Sequence, residues 1–145
     1  MHPARKSAGF SMIELVVAMV VVAILAAIAI PSYSNYTLQA HRTDAKTALL
    51  DLASLEERYF SVNNSYTAVP ASLGYTAFPQ TVGSGYYQVQ TPVVVAATTA
   101  APATYSLQAL PIGTQLAKDT QCQSFTLTST GQQTALPDPT SSCWH

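Results

Sequence analysis

The chain has 145 residues, of which only 9% are charged, and its formal net charge at pH 7 is −1. This length supports one small domain, and the near-neutral charge gives no basic footprint of the kind that nucleic-acid-binding domains carry. Hydrophobic residues make up 48% of the sequence, and the longest apolar run lies near the N-terminus.

That run extends from Phe10 to Ile30, 21 residues in which Glu14 is the only charge. A helix of this length rises by about 31 Å, close to the thickness of a bilayer's hydrocarbon core. A lone segment in lipid must satisfy its own backbone hydrogen bonds, so the run is predicted to be a transmembrane helix. Arg5 and Lys6 precede it, and by the positive-inside rule they keep the N-terminus in the cytoplasm.

The small residues Ser7–Gly9 come before the apolar run, whereas a secretory signal has its cleavage site after a shorter apolar core. A cut after Gly9 would expose an amino group on Phe10, four residues from Glu14 and on the same helix face. A carboxylate at mid-span costs about 2.5–3.5 kcal/mol, so Glu14 is predicted to be functional, with that amine or a neighbouring subunit's amine as its partner. The alternative is a solvated Glu14 at headgroup depth.

The segment Gly9–Leu15 resembles the signature of type IV prepilins: glycine, cleavage point, phenylalanine, a small polar residue, two apolar residues, glutamate and leucine. Met12 stands where leucine is commoner in the family. The resemblance implies that prepilin peptidase cuts between Gly9 and Phe10 and methylates the amine of Phe10. It also implies that Glu14 neutralises an N-terminal amine during assembly, while the apolar helix leaves the bilayer to form the filament core.

Pro31 follows the apolar run, and its ring and missing N–H predict a kink or a local loosening of the helix. The alternative is that the span simply ends there. The helix is predicted to resume and to reach about Val62, because apolar residues recur at helical spacing. The predicted apolar stripe consists of Leu38, Ala45, Leu49, Leu52, Leu55 and Tyr59, and the residues that largely face elsewhere are Arg42, Asp44, Lys46, Asp51, Glu57 and Arg58.

Residues 61–85 are predicted to connect helix and sheet with little regular structure. Alternating segments predict strands at 86–90, 105–110 and 125–128, with Val93–Val95 as an extension and a turn at Gly131. An antiparallel sheet packed on the helix makes the fold class α+β, and the resemblance implies a pilin fold. The predicted division is a removed leader at 1–9, a transmembrane and filament-core helix at 10–31, and a periplasmic or extracellular globular domain at 32–145.

Cys122 and Cys143 lie outside the membrane in this topology, where an even number of cysteines argues for a disulfide. The bond would close a loop of about 22 residues and stabilise the fold by about 3 kcal/mol in the chain-entropy model. A metal pair and a reactive thiol are the alternatives, and neither has supporting neighbours. The family's C-terminal disulfide loop implies the same bond.

Motifs of known catalytic sites are missing from the sequence, which has no His-Glu-x-x-His, no glycine-rich phosphate loop and no Gly-x-Ser-x-Gly. Glu56 and Glu57 are adjacent and therefore point to different helix faces. Asp119 and Asp138 come without a recognisable set of calcium ligands. The chain is expected to be a substrate of processing enzymes rather than an enzyme, with no metal and no cofactor.

These observations together predict a structural subunit of a type IV pilus, with a minor pilin of the PilE type favoured over the major pilin. The filament would serve adhesion, twitching motility or DNA uptake. The alternatives are a pseudopilin of a type II secretion system and a membrane-anchored periplasmic binding domain.

The expected partners are other pilin subunits, prepilin peptidase, the inner-membrane assembly machinery and, before assembly, the membrane itself. DNA is a less favoured partner, because the basic residues left after cleavage form no stripe. The chain is expected in the inner membrane, with its N-terminus in the cytoplasm, and then in an extracellular pilus.

Overall fold

The computed structural model describes residues 10–137 and 142–144, so the predicted leader at 1–9 lies outside the described residues. The elements in chain order are α1 (Met12–Asn63), a 3-10 helix (Pro70–Leu73), β1 (Gln80–Val82), β2 (Tyr87–Val89), β3 (Val93–Val95), β4 (Thr104–Pro111), α2 (Gly113–Lys118), β5 (Cys122–Thr128) and β6 (Gln133–Pro137). The chain divides into two compact units, with the boundary between Thr37 and Leu38.

The first unit contains the N-terminal part of α1. Among the described residues, this one helix is long and apolar enough to cross a membrane, judged by length and composition. Its large apolar side chains are exposed along the whole run from Phe10 to Ile30, and a surface of that kind requires lipid or other protein around it. The helix continues through Pro31, and both the kink at this residue and the alternative that the membrane span ends there stay predictions.

In the second unit, the C-terminal part of α1 packs on an antiparallel sheet with the order β1-β2-β4-β5-β6. Strand β4 is the centre of this sheet, because one of its edges pairs with β5 through residues 106–109. Its other edge is shared by β2, opposite residues 109–111, and by β3, opposite residues 104–106. The α+β fold with a long helix on a small antiparallel sheet is confirmed.

The core lies between α1 and the inner face of the sheet. Ala45, Leu49 and Leu52 are fully buried there, and Leu55 and Tyr59 pack against the same cluster, so the predicted stripe is confirmed. Strand β4 alternates buried and half-buried positions along all eight residues, as expected for a sheet with one covered face. The buried sheet residues that complete the core are Tyr87, Val89, Tyr105, Leu107, Ala109, Phe125, Leu127 and Ala135.

Three features of the second unit differ from or add to the sequence-based expectations. The connection 61–85, expected to have little regular structure, contains the short 3-10 helix and β1. Val93–Val95 is a separate strand that pairs with β4 and does not extend β2. Helix α2 was not predicted at all, since six residues without a side-chain N-cap give no periodic signal.

The cysteines form the predicted disulfide between Cys122 and Cys143, and both are buried. The metal pair and the reactive thiol are therefore wrong. The bond holds the described tail, residues 142–144, against the start of β5. Trp144 then packs edge-to-face on Phe125, with ring centroids 5.6 Å apart, and its indole N–H donates to the carbonyl of Thr134 at 2.8 Å.

A buried ion pair joins α1 to the segment between α2 and β5. The Arg42 guanidinium donates two hydrogen bonds to the Asp119 carboxylate, each at 2.7 Å, and the Asp119 side chain is fully buried. Asp119 also accepts hydrogen bonds from the side chain of Gln115 and from the backbone N–H of Cys122. The sequence-based expectation that Arg42 faces away from the core is wrong, because this carboxylate draws it inward.

We expect Asp119→Ala to lower the free energy of unfolding by about 3–5 kcal/mol, because it leaves the buried Arg42 charge without a partner. Denaturant unfolding of the full chain in detergent measures this change. Asp51→Ala, which removes the same charge from an exposed position of α1, is the matched control and should change stability by less than about 0.5 kcal/mol. Equal effects of the two variants would contradict the assignment.

Glu56 is a second buried acid, and it has no cation beside it. Its side chain is fully buried; Oε2 accepts the Thr67 N–H at 3.1 Å, while Oε1 has no partner among the described residues. Burial raises the pKa of Glu56 above its ordinary value, and the negative charge of Glu57 adds to that shift. The folded protein therefore holds this proton to a higher pH than the unfolded chain does.

The sign of the resulting pH dependence follows from linkage. Where the folded state binds more protons than the unfolded state, stability falls as pH rises, here from the ordinary glutamate pKa up through the raised pKa of Glu56. We expect Glu56→Gln to flatten this fall and to be at least as stable as the native chain at neutral pH. Denaturant unfolding across pH 4–8 tests it, with Asp51→Asn, at an exposed position of α1, as the control. An unchanged slope in Glu56→Gln would refute it.

Candidate processing and assembly site

The predicted cleavage junction lies at the point where α1 begins. Gly9 is outside the described residues, and Phe10 and Ser11 precede the first helical residue, Met12. Phe10 is 84% exposed, so nothing in the described chain covers the residue that would become the new N-terminus. The site is an accessible non-helical segment joined directly to a rigid helix.

The backbone of Ser11 starts the helix. Its carbonyl accepts the N–H of Glu14 at 3.1 Å and the N–H of Leu15 at 3.2 Å. These bonds place Glu14 in the first turn of α1, where the N–H ends of the helix favour a negative charge. The position of Glu14 is therefore compatible both with the helix dipole and with a nearby amine.

Glu14 is exposed, and it forms no ion pair within the described residues, where Arg42–Asp119 is the one ion pair. Phe10 is four residues before it, about 6 Å along the helix axis if the helix is extended to that residue. The amine released by cleavage would thus be the nearest cation that this chain itself could supply. A neighbouring chain's amine could reach the same exposed carboxylate.

No candidate catalytic or metal site emerges in the second unit. Within residues 10–137 and 142–144, no group of three or more His, Cys, Asp and Glu side chains could hold a metal ion. The acidic residues considered in the sequence analysis do not form a cluster. Glu56 is buried, whereas Glu57 is exposed and accepts a hydrogen bond from Tyr66. Asp119 is committed to Arg42, and Asp138 lies outside the described residues.

A polar cluster that sequence reasoning missed surrounds α2. The side-chain amide of Gln115 donates to the carbonyl of Leu38 at 3.3 Å, and its oxygen lies 2.9 Å from Nδ1 of His41. His41 also stacks on Tyr86, with ring centroids 3.7 Å apart. Gln115 is 74 residues from His41 and 77 from Leu38 in sequence, and Tyr86 is also remote from His41, so no local pattern could have revealed these contacts.

Comparison with known proteins points to one family. Residues 31–126, which are 96 of the 145, match the family described as "Type IV minor pilin ComP, DNA uptake sequence receptor". Residues 4–30 match the prokaryotic N-terminal methylation motif, which includes the Gly9–Phe10 junction and Glu14.

Two curated relatives are also pilins. The chain is 31% identical over 70 residues to the type IV major pilin protein PilA of Myxococcus xanthus, which covers 48% of this chain and 32% of PilA. It is 37% identical over 81 residues to the type IV wide pilus major component PilA4 of Thermus thermophilus, which covers 54% of this chain and 62% of PilA4. The matches thus span less than two thirds of either relative. With a family match over most of its length, the chain belongs to the type IV pilin family.

Proposed function

We propose that this chain is a minor pilin, made as a prepilin and built into a type IV pilus. Prepilin peptidase cuts it between Gly9 and Phe10 and methylates the amine of Phe10. The observation that carries this proposal is the junction: a methylation motif over residues 4–30 with Phe10 exposed ahead of a helix that holds Glu14 in its first turn. The chain is a substrate of this peptidase and has no catalytic role of its own.

The route from membrane to filament follows from the two halves of α1. Before assembly, the apolar half lies in the inner membrane with Arg5 and Lys6 on the cytoplasmic side. A helix that is apolar on every side is equally satisfied by lipid and by the helices of other subunits. The small residues Ala18, Ala23 and Ala26 support this exchange, because they allow helix backbones to approach closely.

Glu14 makes the filament a more favourable environment for α1 than the bilayer. A lone carboxylate in lipid is costly, and a subunit amine that meets Glu14 in the helical bundle would remove that cost. Assembly with other pilin subunits, driven by the inner-membrane machinery, is therefore favoured over storage in the bilayer. The filament then serves adhesion, twitching motility or DNA uptake.

The minor-pilin assignment is supported by the extent of the family match. The minor-pilin family covers residues 31–126, whereas the two major pilins align with only 48% and 54% of the chain. Mass spectrometry of sheared surface filaments tests the assignment. We expect a mature N-terminus at N-methylated Phe10, with few copies of this chain relative to the most abundant pilin; a high copy number would make it the major subunit.

Glu14→Ala separates a pilus subunit from a membrane-anchored binding domain. We expect the variant to accumulate in the membrane, cleaved at Phe10, but to be reduced at least tenfold in sheared filaments, because the amine loses its partner. Glu57→Ala removes an exposed acid outside the apolar half and is the matched control. Unimpaired incorporation of Glu14→Ala, or an uncut N-terminus in the native chain, would refute the proposal.

DNA capture is a second candidate, and the observation in its favour is that the matching family is described as a DNA uptake sequence receptor. The charges of the described residues oppose it. The described part of the chain contains four lysine and arginine side chains. Arg42 is bound to Asp119 and Lys46 is half-buried, so only Arg58 and Lys118 are exposed. Two or three phosphate contacts give weak, non-specific binding with a shallow salt dependence.

Fluorescence anisotropy of duplex DNA titrated with the full chain in detergent tests DNA capture at 50 and 200 mM salt. As a structural subunit alone, the chain should bind weakly, and its affinity should fall with salt by a logarithmic slope no steeper than about −3. Tight binding that discriminates one duplex sequence from its scrambled version would establish the receptor role. Lys118→Gln is the variant to compare.

A further inference from the structure

The eight tyrosines of the chain fall into two groups by burial. Six are buried or half-buried in the second unit, where they belong to the core or pack against it. The other two, Tyr33 and Tyr36, lie in the first unit and are 71% and 70% exposed. A tyrosine ring is a large apolar surface with a polar tip, and within the described residues nothing covers these two.

The two exposed rings lie just beyond the apolar run and on one side of α1. They follow Ile30 by three and six residues, and a spacing of three places them next to each other on the helix surface. The one other exposed Phe, Tyr or Trp ring among the described residues is Phe10, at the opposite end of the same run. Exposed aromatic rings thus flank the run at both ends, as the two interfaces of a bilayer favour.

The segment around the two tyrosines has the composition of a membrane interface. Its other residues after Pro31 carry hydroxyl or amide groups but no charge: Ser32, Ser34, Asn35 and Thr37. Such a segment suits the layer between lipid and water, where the ring of a tyrosine lies among acyl chains and its hydroxyl reaches the headgroups. The first Lys or Arg beyond it, Arg42, is paired with Asp119, so attraction to anionic lipids is not what holds this segment.

The length of the helix on the N-terminal side of the tyrosines matches the thickness of a bilayer. Met12, the first residue of α1, precedes Tyr33 by 21 residues and Tyr36 by 24, which is about 32–36 Å of helix. The hydrocarbon core is about 30 Å thick. If the two rings lie in the outer headgroup layer, Phe10 therefore lies at the cytoplasmic boundary of the core, where a cut on the cytoplasmic side requires it.

We propose that Tyr33 and Tyr36 lie in the phospholipid headgroup layer at the outer face of the membrane and set the depth of the span. Acting through the rigid helix, they are positioning residues that hold the Gly9–Phe10 junction at the cytoplasmic surface for cleavage. The partner is the lipid surface, since the pair is continuous with the membrane-spanning run. This inference rests on the proposed function, because it concerns the prepilin while it is stored in the membrane.

Moving the tyrosine pair along the helix tests the depth. In the shifted variant, Tyr33→Ser and Tyr36→Ser are combined with Ala29→Tyr and Ser32→Tyr, both at exposed positions. The pair is then four residues nearer the N-terminus, so the helix should move outward by up to about 6 Å. We expect less than the full shift, because the movement draws Glu14 further into lipid.

Depth is measured on the full chain in phosphatidylcholine vesicles. A fluorophore on Asn35→Cys, an exposed position, is quenched by nitroxide lipids labelled at known depths; the native cysteines are bonded to each other and buried. We expect the label at headgroup depth in the native chain and at least about 3 Å further outward in the shifted variant. Replacing both tyrosines by Trp should leave the depth unchanged, because Trp favours the same layer.

Cleavage is the second readout. In vesicles that also contain prepilin peptidase, we expect the shifted variant to be cut at least about fivefold more slowly, because its junction is drawn into lipid, whereas the Trp variant should be cut at the native rate. Val62→Ser with Val69→Ser removes two exposed apolar side chains from the second unit. This control pair should change neither the depth nor the rate.

The outcomes separate this inference from the function on which it rests. Native depth and native cleavage in the shifted variant would overturn the inference, even if incorporation into filaments falls; the tyrosines would then pack against the helices of other subunits. A native chain that is released from membranes by alkaline extraction, or that the peptidase does not cut, would instead refute the proposed function.

Discussion

The ion pair between Arg42 and Asp119 is the constraint on which the second unit depends. Burying two charges is costly, and only good geometry with additional hydrogen bonds offsets the cost. Asp119 meets that requirement through two bonds from Arg42, one from Gln115 and one from the N–H of Cys122. A single carboxylate therefore fixes α2 against α1 and positions the first half of the disulfide, whose other half holds the tail.

The same network determines what the protein presents to its surroundings. The hydroxyl of Tyr87 lies between Gln115 and Asp119, and burial raises its pKa to about 12, so it stays neutral and does not compete with the carboxylate for Arg42. With Arg42 and Asp119 paired inside, few charges stay outside on the described residues: Lys118 on α2, and the others along α1. A surface so poor in charge favours specific contacts at those few positions.

Local patterns explain what the sequence could predict. Spacing within a single element was enough to predict the junction at Gly9–Phe10, the acid at Glu14 and the apolar stripe of Ala45, Leu49 and Leu52. Strict alternation of apolar and polar residues was enough to predict most of β4. Long-range partners gave no such signal: Arg42 and Asp119 are 77 residues apart, and Arg42 resembles any solvent-facing arginine. Glu56 was not predicted to lie in the core, because a charged side chain is normally exposed even where its position falls on the apolar stripe of α1.

The two parts of the chain solve different physical problems. The apolar half of α1 is exposed on all sides within the described chain. During assembly, the lipid around it must therefore be replaced on every side by the helices of other subunits. The second unit has its own core, a disulfide and a buried ion pair, so its fold does not depend on that exchange. Generic apolar packing then supplies the cohesion of a filament, but such packing specifies register poorly, because one apolar surface slides easily along another. Specific positioning of a subunit therefore depends on the globular unit, which has a folded surface of its own and only a few exposed charges.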